Sequence, residues 1–543
     1  MPRKNLAGHI STKKTDQMSA IPGREKEMVE NNAGGVVFKV SDMDVVKRFL
    51  IIGTEGNTYY VNERDATKDN AGTIIKLIKS GHGKEVLDEA IRVSDEGLAK
   101  NNNYAILVLA LVITYASNEI KNYAVENVSK ICRIGTHILT LVSYIKELRG
   151  WGTIVKALFN EWFKNHTTSQ LAFQMLKYQN RNGVEMRDVL RLNHVKPIDN
   201  DQKLLFNYIT GGSKKYESLF PLKEFPKDLK IIEGFEKAKE AKNEKEIIKI
   251  ITDYKLPREM IPTEFTNKAN VQKAMLPNLG LTAIIRNLGS FTASGLLETA
   301  NFDDVNFIVD SITNKEYLQK SRIHPLQVLD ALVTYQQGHG IKGNLYWNPV
   351  AKIISALDVA FYESFKNIVP TGKRIMLALD VSGSMGSPAN GCNLQSRQVT
   401  AAMAMVTART ERNYMFTCFA DYFRELEITP DMKLEAVMEK VYRQDFGSTD
   451  CSLPMIAAQS KNWNFDAFCV YTDNETYAGN IQPCQALVKY RKHSGISDAK
   501  LIVCATTSTR FSIADPKDKN MIDIAGFSAD TPSVISQFIR GEI

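Results

Sequence analysis

The chain has 543 residues, of which 44% are hydrophobic and 24% are charged, and it contains no low-complexity tract. This length exceeds one ordinary hydrophobic core, so we expect two or more domains, and the composition excludes a fibrous or wholly disordered protein. The net charge of +7 is unevenly placed, because the first 370 residues carry 50 basic and 42 acidic side chains whereas the rest carry 18 and 19. The positive excess in the N-terminal part is compatible with a polyanionic partner and equally with a solvated surface.

The first part of the chain gives no sign of membrane insertion or secretion. Residues 1–35 are polar, rich in lysine and interrupted by glycine, which predicts a flexible tail without the apolar core of a secretory signal. The longest nearly apolar run, residues 104–116, is shorter than the roughly twenty residues needed to span a bilayer. We therefore predict a buried helix there and no membrane segment.

Residues 36–369 are dominated by apolar positions at helical spacing. Short amphipathic helices in such numbers predict an α-solenoid of stacked, HEAT-like helix pairs, although no clean repeat consensus is visible. The predicted helices cover residues 71–79, 84–93, 105–116, 124–132, 138–148, 152–163, 169–178, 186–192, 228–241, 245–254, 281–288, 305–312, 325–335 and 350–365.

One short span within this region concentrates basic side chains. Its members are Lys177, Arg181, Arg187, Arg191, His194 and Lys196. On a helix, Lys177 would share a face with Arg181, and Arg187 with Arg191, because each pair is four residues apart. Paired cations suit phosphate oxygens, and a histidine can hydrogen-bond to or stack on a base. The same cluster also fits an ordinary solvated helix face.

The pattern changes near residues 370–372, where strands begin to alternate with helices. The apolar runs predict strands at 375–379, 414–419, 468–471 and 500–504. Each strand is followed by a predicted helix, at 396–409, 433–440, 483–492 and 532–539 respectively. This alternation predicts a doubly wound α/β domain over residues 370–543.

Two of these strands end in oxygen-bearing side chains. Asp380, Ser382 and Ser384 follow the first strand, Asp473 follows the strand at 468–471, and Thr449 lies in a glycine-containing loop between them. Ligands gather at the carboxyl ends of strands in such sheets, and hard oxygen donors suit Mg²⁺. The first triplet alone also fits a polar strand-to-helix turn.

The five-oxygen set resembles the metal-ion-dependent adhesion site of von Willebrand factor A domains. The resemblance implies that the two serines and the threonine contact a divalent cation, Mg²⁺ being expected, and that both acids bind it directly or through water. It also allows an acidic residue of a protein partner to complete the metal shell.

The seven cysteines form no C-x-x-C pair, and Cys418, Cys451, Cys469 and Cys504 lie in or beside apolar segments. Packed, reduced thiols are typical of an intracellular protein, so we expect a cytoplasmic location.

Seven stretches of the chain form one ordered set of motifs. They are GTEGNTYY at 53–60, KYQNRNG at 177–183, LRLNHVKP at 190–197, LTAIIRNLG at 281–289, RIHP at 322–325, GHG at 338–340 and TDNET at 472–476. Together they resemble the Ro 60 kDa ribonucleoprotein family, the TROVE-domain proteins, from about residue 36 to the C-terminus. One departure is Gly383, where many relatives carry alanine.

The resemblance implies a monomeric ring of helical repeats closed by the A domain. Family members bind small noncoding Y RNAs on the outer surface and the single-stranded 3′ ends of misfolded RNAs in the central hole, in RNA quality control that can involve an exoribonuclease. Lys177, Arg181 and His194 match positions implicated in Y RNA binding. For Arg187, Arg191, Lys196, Arg286 and Arg322 the correspondence is looser.

Two other function classes compete with RNA binding. An intracellular protein-interaction module using the adhesion-type metal site remains an alternative. An enzyme is disfavoured, because the sequence shows no phosphate-binding glycine loop, paired carboxylates or Ser-His-Asp grouping, and the family has no established catalytic activity.

Overall fold

The computed structural model of the chain describes residues 14–54, 58–61, 63–211, 216–220, 225–298, 301–340, 344–365, 368–389 and 392–543. The chain divides into two units. The first unit comprises the described residues of Met1–Thr73 and Phe365–Ile543, and the second comprises those of Ile74–Ser364. Of the GTEGNTYY motif, residues 55–57 lie outside the described residues.

Among the described residues, the N-terminal part of the first unit contains two strands, one helix and most of a second helix, whose last residues, Ile74–Leu77, belong to the second unit. They are β1 (Met28–Glu30), β2 (Val36–Lys39), α1 (Asp42–Ile51) and α2 (Glu63–Leu77). Ser41 caps the start of α1, because its side chain accepts a hydrogen bond from the Asp44 backbone N–H.

The second unit is helical, as the apolar spacing predicts. Its helices are α3 (Gly83–Glu96), α4 (Asn103–Tyr115), α5 (Asn118–Glu126), α6 (Val128–Ile131), α7 (Gly135–Leu148), α8 (Thr153–Lys164), α9 (Thr168–Lys177), α10 (Met186–Asn193), α11 (Asn200–Gly211), α12 (Tyr216–Leu219), α13 (Lys230–Glu240), α14 (Glu244–Tyr254), α15 (Ala269–Met275), α16 (Leu281–Ala293), α17 (Phe302–Thr313), α18 (Lys315–Ser321), α19 (Pro325–Gln336) and α20 (Ala351–Glu363). Neighbouring helices pack together, for example α3 on α4, α13 on α14 and α19 on α20. Helix α4 is buried as predicted, and no helix in the described part of the chain is long and apolar enough to cross a membrane.

A short hairpin interrupts the helices of the second unit. Strand β3 (Asn180–Arg181) pairs antiparallel with β4 (Val184–Glu185). The turn residues Asn182 and Gly183 have φ of 52° and 72°, which is the conformation that Asn-Gly favours in two-residue hairpin loops. Helix α9 therefore ends at Lys177, and the predicted helical face shared by Lys177 and Arg181 is wrong.

The C-terminal part of the first unit is the predicted doubly wound α/β domain. Its elements are β5 (Ile375–Asp380), α21 (Ser396–Thr410), β6 (Tyr414–Phe419), β7 (Phe423–Leu426), α22 (Leu434–Tyr442), α23 (Leu453–Ser460), β8 (Ala467–Thr472), α24 (Pro483–Ser494), β9 (Lys500–Ala505), β10 (Phe511–Ser512), β11 (Met521–Ala525) and α25 (Thr531–Arg540). The main sheet has the order β11-β9-β8-β5-β6-β7, and β7 is its antiparallel edge. Every residue of β5 and β8 is buried, as expected for central strands of a sheet covered on both faces.

Residues 14–35 differ from the predicted flexible tail. Strand β1 pairs with β2, and β2 pairs with β10 from the far end of the chain to form a second, three-stranded sheet. Gln17 is fully buried, and its side-chain amide hydrogen-bonds to Asp450 at 2.7 Å and to the Ile481 carbonyl at 3.0 Å. The polar composition of this segment suggested solvent exposure, but its polar groups are instead satisfied inside the first unit.

Candidate functional site

The first candidate site lies where the strand order of the main sheet reverses. From β5 the chain passes to β6 on one side and returns to β8 on the other, so β5 and β8 are adjacent and parallel. Ligands bind at such switch points, outside the carboxyl ends of the strands. The structure places Asp380 at the end of β5 and Asp473 directly after β8.

Asp380 accepts hydrogen bonds from the segment that follows β5 and from the last residue of β8. Its Oδ1 accepts from the Ser382 backbone N–H at 2.9 Å, and its Oδ2 accepts from the Thr472 hydroxyl at 2.6 Å. The Ser382 and Ser384 hydroxyl oxygens are 3.3 Å apart. The structure thus brings the predicted triplet together as one buried group of oxygens.

The loop that carries Thr449 is attached to both strand ends. The Gly383 N–H donates to the Gly447 carbonyl at 3.2 Å, and the Thr449 carbonyl accepts from the N–H groups of Tyr477 and Ala478 at 3.0 Å each. Thr449 itself is buried. These bonds connect the predicted hydroxyl loop to the loops that carry Asp380 and Asp473.

The electrostatics of the site favour a bound cation. Burial raises the pKa of both Asp380 and Asp473 above the usual carboxyl range, and repulsion from Asp473 raises the pKa of Asp380 further. Neither carboxylate forms an ion pair with a basic side chain in the described part of the chain. A divalent cation would offset this uncompensated negative charge.

The donor set also fits a hard cation in its chemistry. Two carboxylates and three hydroxyls match the oxygen ligands of Mg²⁺, which binds few protein ligands and retains water. Among the described residues, no cluster of three or more His, Cys, Asp or Glu side chains is placed to hold a metal. The candidate metal centre is therefore the set of hydroxyl and carboxylate oxygens at the carboxyl ends of β5 and β8.

Sequence reasoning missed the residues that hold the loop after β8. Asn31 donates to the Thr476 carbonyl at 2.9 Å, and Asn32 donates to the Glu475 carboxylate at 2.5 Å. Gly35 passes so close that a Cβ there would lie 1.8 Å from the Thr476 carbonyl oxygen. A glycine among polar residues is the weak sequence signal that could have indicated this close approach.

The second candidate site is the basic span of the second unit. Arg181, Arg187, Arg191, His194 and Lys196 are all exposed. Lys177 is only 21% exposed, lies 4.0 Å from the Glu259 carboxylate, and packs its ammonium against the rings of Phe173 and Tyr178.

The exposed basic side chains differ in the hydrogen bonds and ion pairs that they form with other protein groups. Arg187 pairs with Glu185 at 2.8 Å, and Arg191 donates to the Thr210 carbonyl at 3.1 Å. Within the described residues, the side chains of Arg181, His194 and Lys196 form no hydrogen bond or ion pair. The predicted i, i+4 pair on α10, Arg187 with Arg191, is present, and His194 follows that helix with a left-handed φ of 51°.

Two family comparisons cover nearly the whole chain. The family model described as TROVE domain matches residues 29–334, and the model described as Ro60 vWA domain matches residues 374–539. The chain belongs to the Ro60 family. The TROVE match begins at residue 29, so it includes Val29 and Glu30 of β1, which the sequence prediction had assigned to a tail.

Two relatives in the Ro60 family have the same sequence identity to this chain. An RNA-binding protein RO60 of Caenorhabditis elegans is 35% identical over 584 residues, covering 95% of this chain and 90% of that protein. An RNA-binding protein RO60 of Deinococcus radiodurans is 35% identical over 543 residues, covering 99% of this chain and all of that protein. The crystal structure of the Deinococcus radiodurans RO (RSR) protein superposes with a TM-score of 0.69 at 33% identity, covering 93% of this chain and all of that one.

Proposed function

We propose that this protein binds RNA through the basic span of its second unit. The observation that carries the proposal is the exposure of Arg181, His194 and Lys196 without protein partners in the described structure, beside Arg187 and Arg191 on α10. Exposed, unneutralised cations suit phosphate oxygens, and an exposed imidazole suits a base edge. Relatives in the same family are named RNA-binding proteins.

The family resemblance supports a more specific role. The RNAs would be small noncoding Y-type RNAs and the single-stranded 3′ ends of misfolded RNAs, bound as a ribonucleoprotein in RNA quality control. A closed ring, a monomeric state and handover of RNA to an exoribonuclease belong to the same prediction. The protein would act by binding rather than by catalysis, and the seven free, buried cysteines support a reducing, cytoplasmic setting.

We further propose that the first unit holds a divalent cation, Mg²⁺. Its ligands would be Asp380, Ser382, Ser384, Thr449 and Asp473. When bound, the cation would supply an electrophilic centre able to accept one more oxygen ligand. The surrounding hydrogen bonds, such as that from Thr472 to Asp380, fix the carboxylates before any ligand arrives.

Direct binding measurements test the RNA proposal. We would titrate a labelled small structured RNA and a labelled single-stranded oligonucleotide with the full chain by fluorescence anisotropy. Replacing Arg181 and Lys196 with alanine should weaken binding about tenfold or more and flatten its salt dependence, because fewer phosphates are then neutralised by the protein. The matched control replaces two exposed cations of the first unit, Arg443 and Lys492. Unchanged affinity of the Arg181/Lys196 variant for both RNAs would refute the proposed surface.

A second candidate function is a protein-interaction module, favoured by the two uncompensated carboxylates at the sheet edge. An acidic side chain of a partner would complete the cation's shell. Mg²⁺-dependent capture of a carboxylate-bearing peptide, lost in Asp380→Asn and retained by the Arg181/Lys196 variant, would support this function. Capture that is indifferent to chelator would exclude it.

A further inference from the structure

A second group of basic side chains lies in the second unit, at the C-terminal end of α3. The Ser94 hydroxyl donates to the Lys130 carbonyl in α6 at 3.0 Å. The next residue, Asp95, pairs with Arg322 at 3.3 Å, directly after α18. Two neighbouring residues of α3 therefore hold together two segments that are distant in the sequence.

Arg133 follows α6 and carries a guanidinium group that no protein group neutralises. Its side chain is partly buried, and its Nε is enclosed without a hydrogen-bond partner. In the part of the chain that the structure describes, this side chain forms no hydrogen bond or ion pair. Buried charges in proteins are normally paired, because a charge that leaves water loses its hydration. The guanidinium of Arg133 therefore lacks a counter-ion.

The surrounding charges do not compensate Arg133. Burial and then repulsion from Arg322 lower the pKa of Arg133, whereas the nearby Asp95 raises it by less. Asp95 already pairs with Arg322. A guanidinium stays protonated at every physiological pH, so both arginines keep their charge. Two positive charges therefore share one acid, and the net charge of this group is positive.

The backbone of Arg133 is fixed by a histidine of α7. The Arg133 N–H donates to His137 Nδ1 at 3.2 Å. Burial, followed by the charge of Arg133, lowers the pKa of His137 to about 3, so the ring is neutral and can accept this bond. The position of Arg133 is thus set before a ligand arrives, which lowers the entropic cost of binding.

Arg322 reaches this group through an unfavourable backbone conformation. Its φ is 53°, a left-handed value that few residues other than glycine adopt. It also lies so close to Gly97 that a Cβ on the glycine would be 2.9 Å from the Arg322 Cβ. Backbone strain of this kind is concentrated at ligand-binding positions.

The group borders the proposed RNA surface. The hairpin that carries Arg181 packs on α7, and the charge of Arg181 contributes to the lowered pKa of His137. Arg181 is exposed, and its side chain has no protein partner among the described residues. A third uncompensated arginine therefore lies at the edge of the group.

We propose that Arg133 and Arg322 bind a phosphate group. Its oxygens would accept hydrogen bonds from the two guanidinium groups, whose planar arrangement of donors suits phosphate geometry. The phosphate could be a phosphodiester of RNA, which rests on the proposed function and would extend the RNA surface beyond Arg181. It could also be free inorganic phosphate, which does not depend on that function. A metal cation would be repelled by the two arginines.

Phosphorus NMR of inorganic phosphate tests this inference. The full chain is added to phosphate at an ionic strength held constant with sodium chloride, in chelator so that no divalent cation contributes. We expect the phosphate signal to broaden, and the affinity to fall about fivefold or more in Arg133→Met and in Arg322→Gln, because each loses charged donors. The matched control is Lys249→Gln, at an exposed position on α14. Wild-type phosphate binding in both arginine variants would overturn the proposal.

Melting temperatures distinguish a ligand site from a purely structural role of Arg133. Without phosphate, Arg133→Met should melt at the same or a higher temperature than the wild type, because an unpaired, partly buried charge is gone. Phosphate should raise the melting temperature of the wild type only. A lower melting temperature of the variant, with no effect of phosphate on the wild type, would overturn the proposal. Because Arg322 is exposed, Arg322→Gln keeps the NMR test decisive even if Arg133→Met does not fold.

An RNA titration identifies the source of the phosphate. If RNA occupies the site, Arg322→Gln should weaken the binding of a labelled single-stranded oligonucleotide and flatten its log–log salt dependence by about 0.7. If phosphate binding is lost while RNA affinity is unchanged, the site takes free phosphate. If the wild type binds phosphate but no RNA, the proposed RNA function fails and the phosphate site stands.

Discussion

The Thr472 hydroxyl donates a 2.6 Å hydrogen bond to the buried carboxylate of Asp380, so the last residue of β8 holds the last residue of β5. This bond stabilises the ionised carboxylate, whereas burial and the nearby Asp473 oppose ionisation. Without a bound cation, the two buried carboxylates therefore lower the stability of the folded state. Removing one of these charges should not destabilise the fold.

Asp380→Asn should abolish the binding of Mg²⁺ or Mn²⁺ measured by calorimetry. In chelator the variant should melt at the same or a higher temperature than the wild type, because one of two repelling carboxylates is gone. Added Mg²⁺ should raise the melting temperature of the wild type only, since a ligand of the folded state stabilises by mass action. The control is Asp431→Asn, an exposed acid in the same unit. Wild-type metal affinity in Asp380→Asn would contradict the assignment.

Replacing Lys177 and Arg181 together with alanine should weaken binding to structured RNA. The log–log salt dependence should flatten by roughly one to two units, at about 0.7–0.9 for each phosphate that the protein no longer neutralises. Because Lys177 is mostly buried near Glu259 whereas Arg181 is exposed, we expect the single Arg181→Ala variant to account for most of the decrease in affinity. A larger decrease in Lys177→Ala would contradict this ranking. If affinity fell while the salt slope held, damage to α9 would be the cause.

Gly35→Ala should displace the N-terminal segment from the loop after β8. The added Cβ would lie 1.8 Å from the Thr476 carbonyl oxygen, so backbone must move. We expect a lower melting temperature of the first unit and weaker Mg²⁺ binding, because this loop carries Asp473. Gly72→Ala on α2 meets no atom within 4 Å and should be neutral or stabilising by about 0.5–1 kcal/mol. Equal behaviour of the two variants would show that the close approach is unimportant.

The second unit should lose stability in acid through His324. Burial, followed by the charge of Lys100, lowers the pKa of this histidine to about 3, from an ordinary value of 6.5. Between these values the unfolded chain binds a proton that the folded chain does not, so lowering the pH favours unfolding by up to about 1.4 kcal/mol per pH unit. Below pH 6.5 the protection of α19 against amide exchange should therefore fall.

The control for this prediction is His324→Asn. In the folded protein His324 Nδ1 accepts from the Leu326 backbone N–H at 3.2 Å, which begins α19. Asparagine can cap the helix in the same way but does not titrate. The variant should therefore show a flatter pH dependence of exchange in α19 between pH 6 and 4, and the same pH dependence as the wild type would rule out His324 as the cause.

The sequence predicted the central strands and most helices well, because their signals are local. The continuous apolar run before Asp380 and the apolar spacing of α4 each depend on one element and its burial. The hairpin of β3 and β4 was not predicted. Its residue Arg181 was placed on one helical face with Lys177, because the four-residue spacing of these basic residues outweighed the Asn182-Gly183 turn signal.

The pairing of strands that are distant in the sequence could not be predicted from such local signals. Strands β1 and β2 are short, and β2 is completed by β10, more than 470 residues later. Gln17 and Asn32 donate hydrogen bonds to Asp450 and Glu475, which lie more than 430 residues later in the chain, so composition alone made these residues look like solvated surface. The positions of Asp380, Ser382, Ser384 and Asp473 were predictable because all four lie at or after the ends of adjacent, parallel central strands, whereas their role as metal ligands stays a prediction.

The pairing of β2 with β10 also has a consequence for synthesis of the chain. At about 5–20 residues per second, β2 waits roughly half a minute to a minute and a half after leaving the ribosome before β10 emerges. During that interval the whole second unit is made and can fold, while an edge of β2 stays open to other strands. A nascent or truncated chain that ends before Phe511 therefore exposes an unpaired strand edge, which gives chaperones and proteases a feature by which to distinguish it from the finished protein.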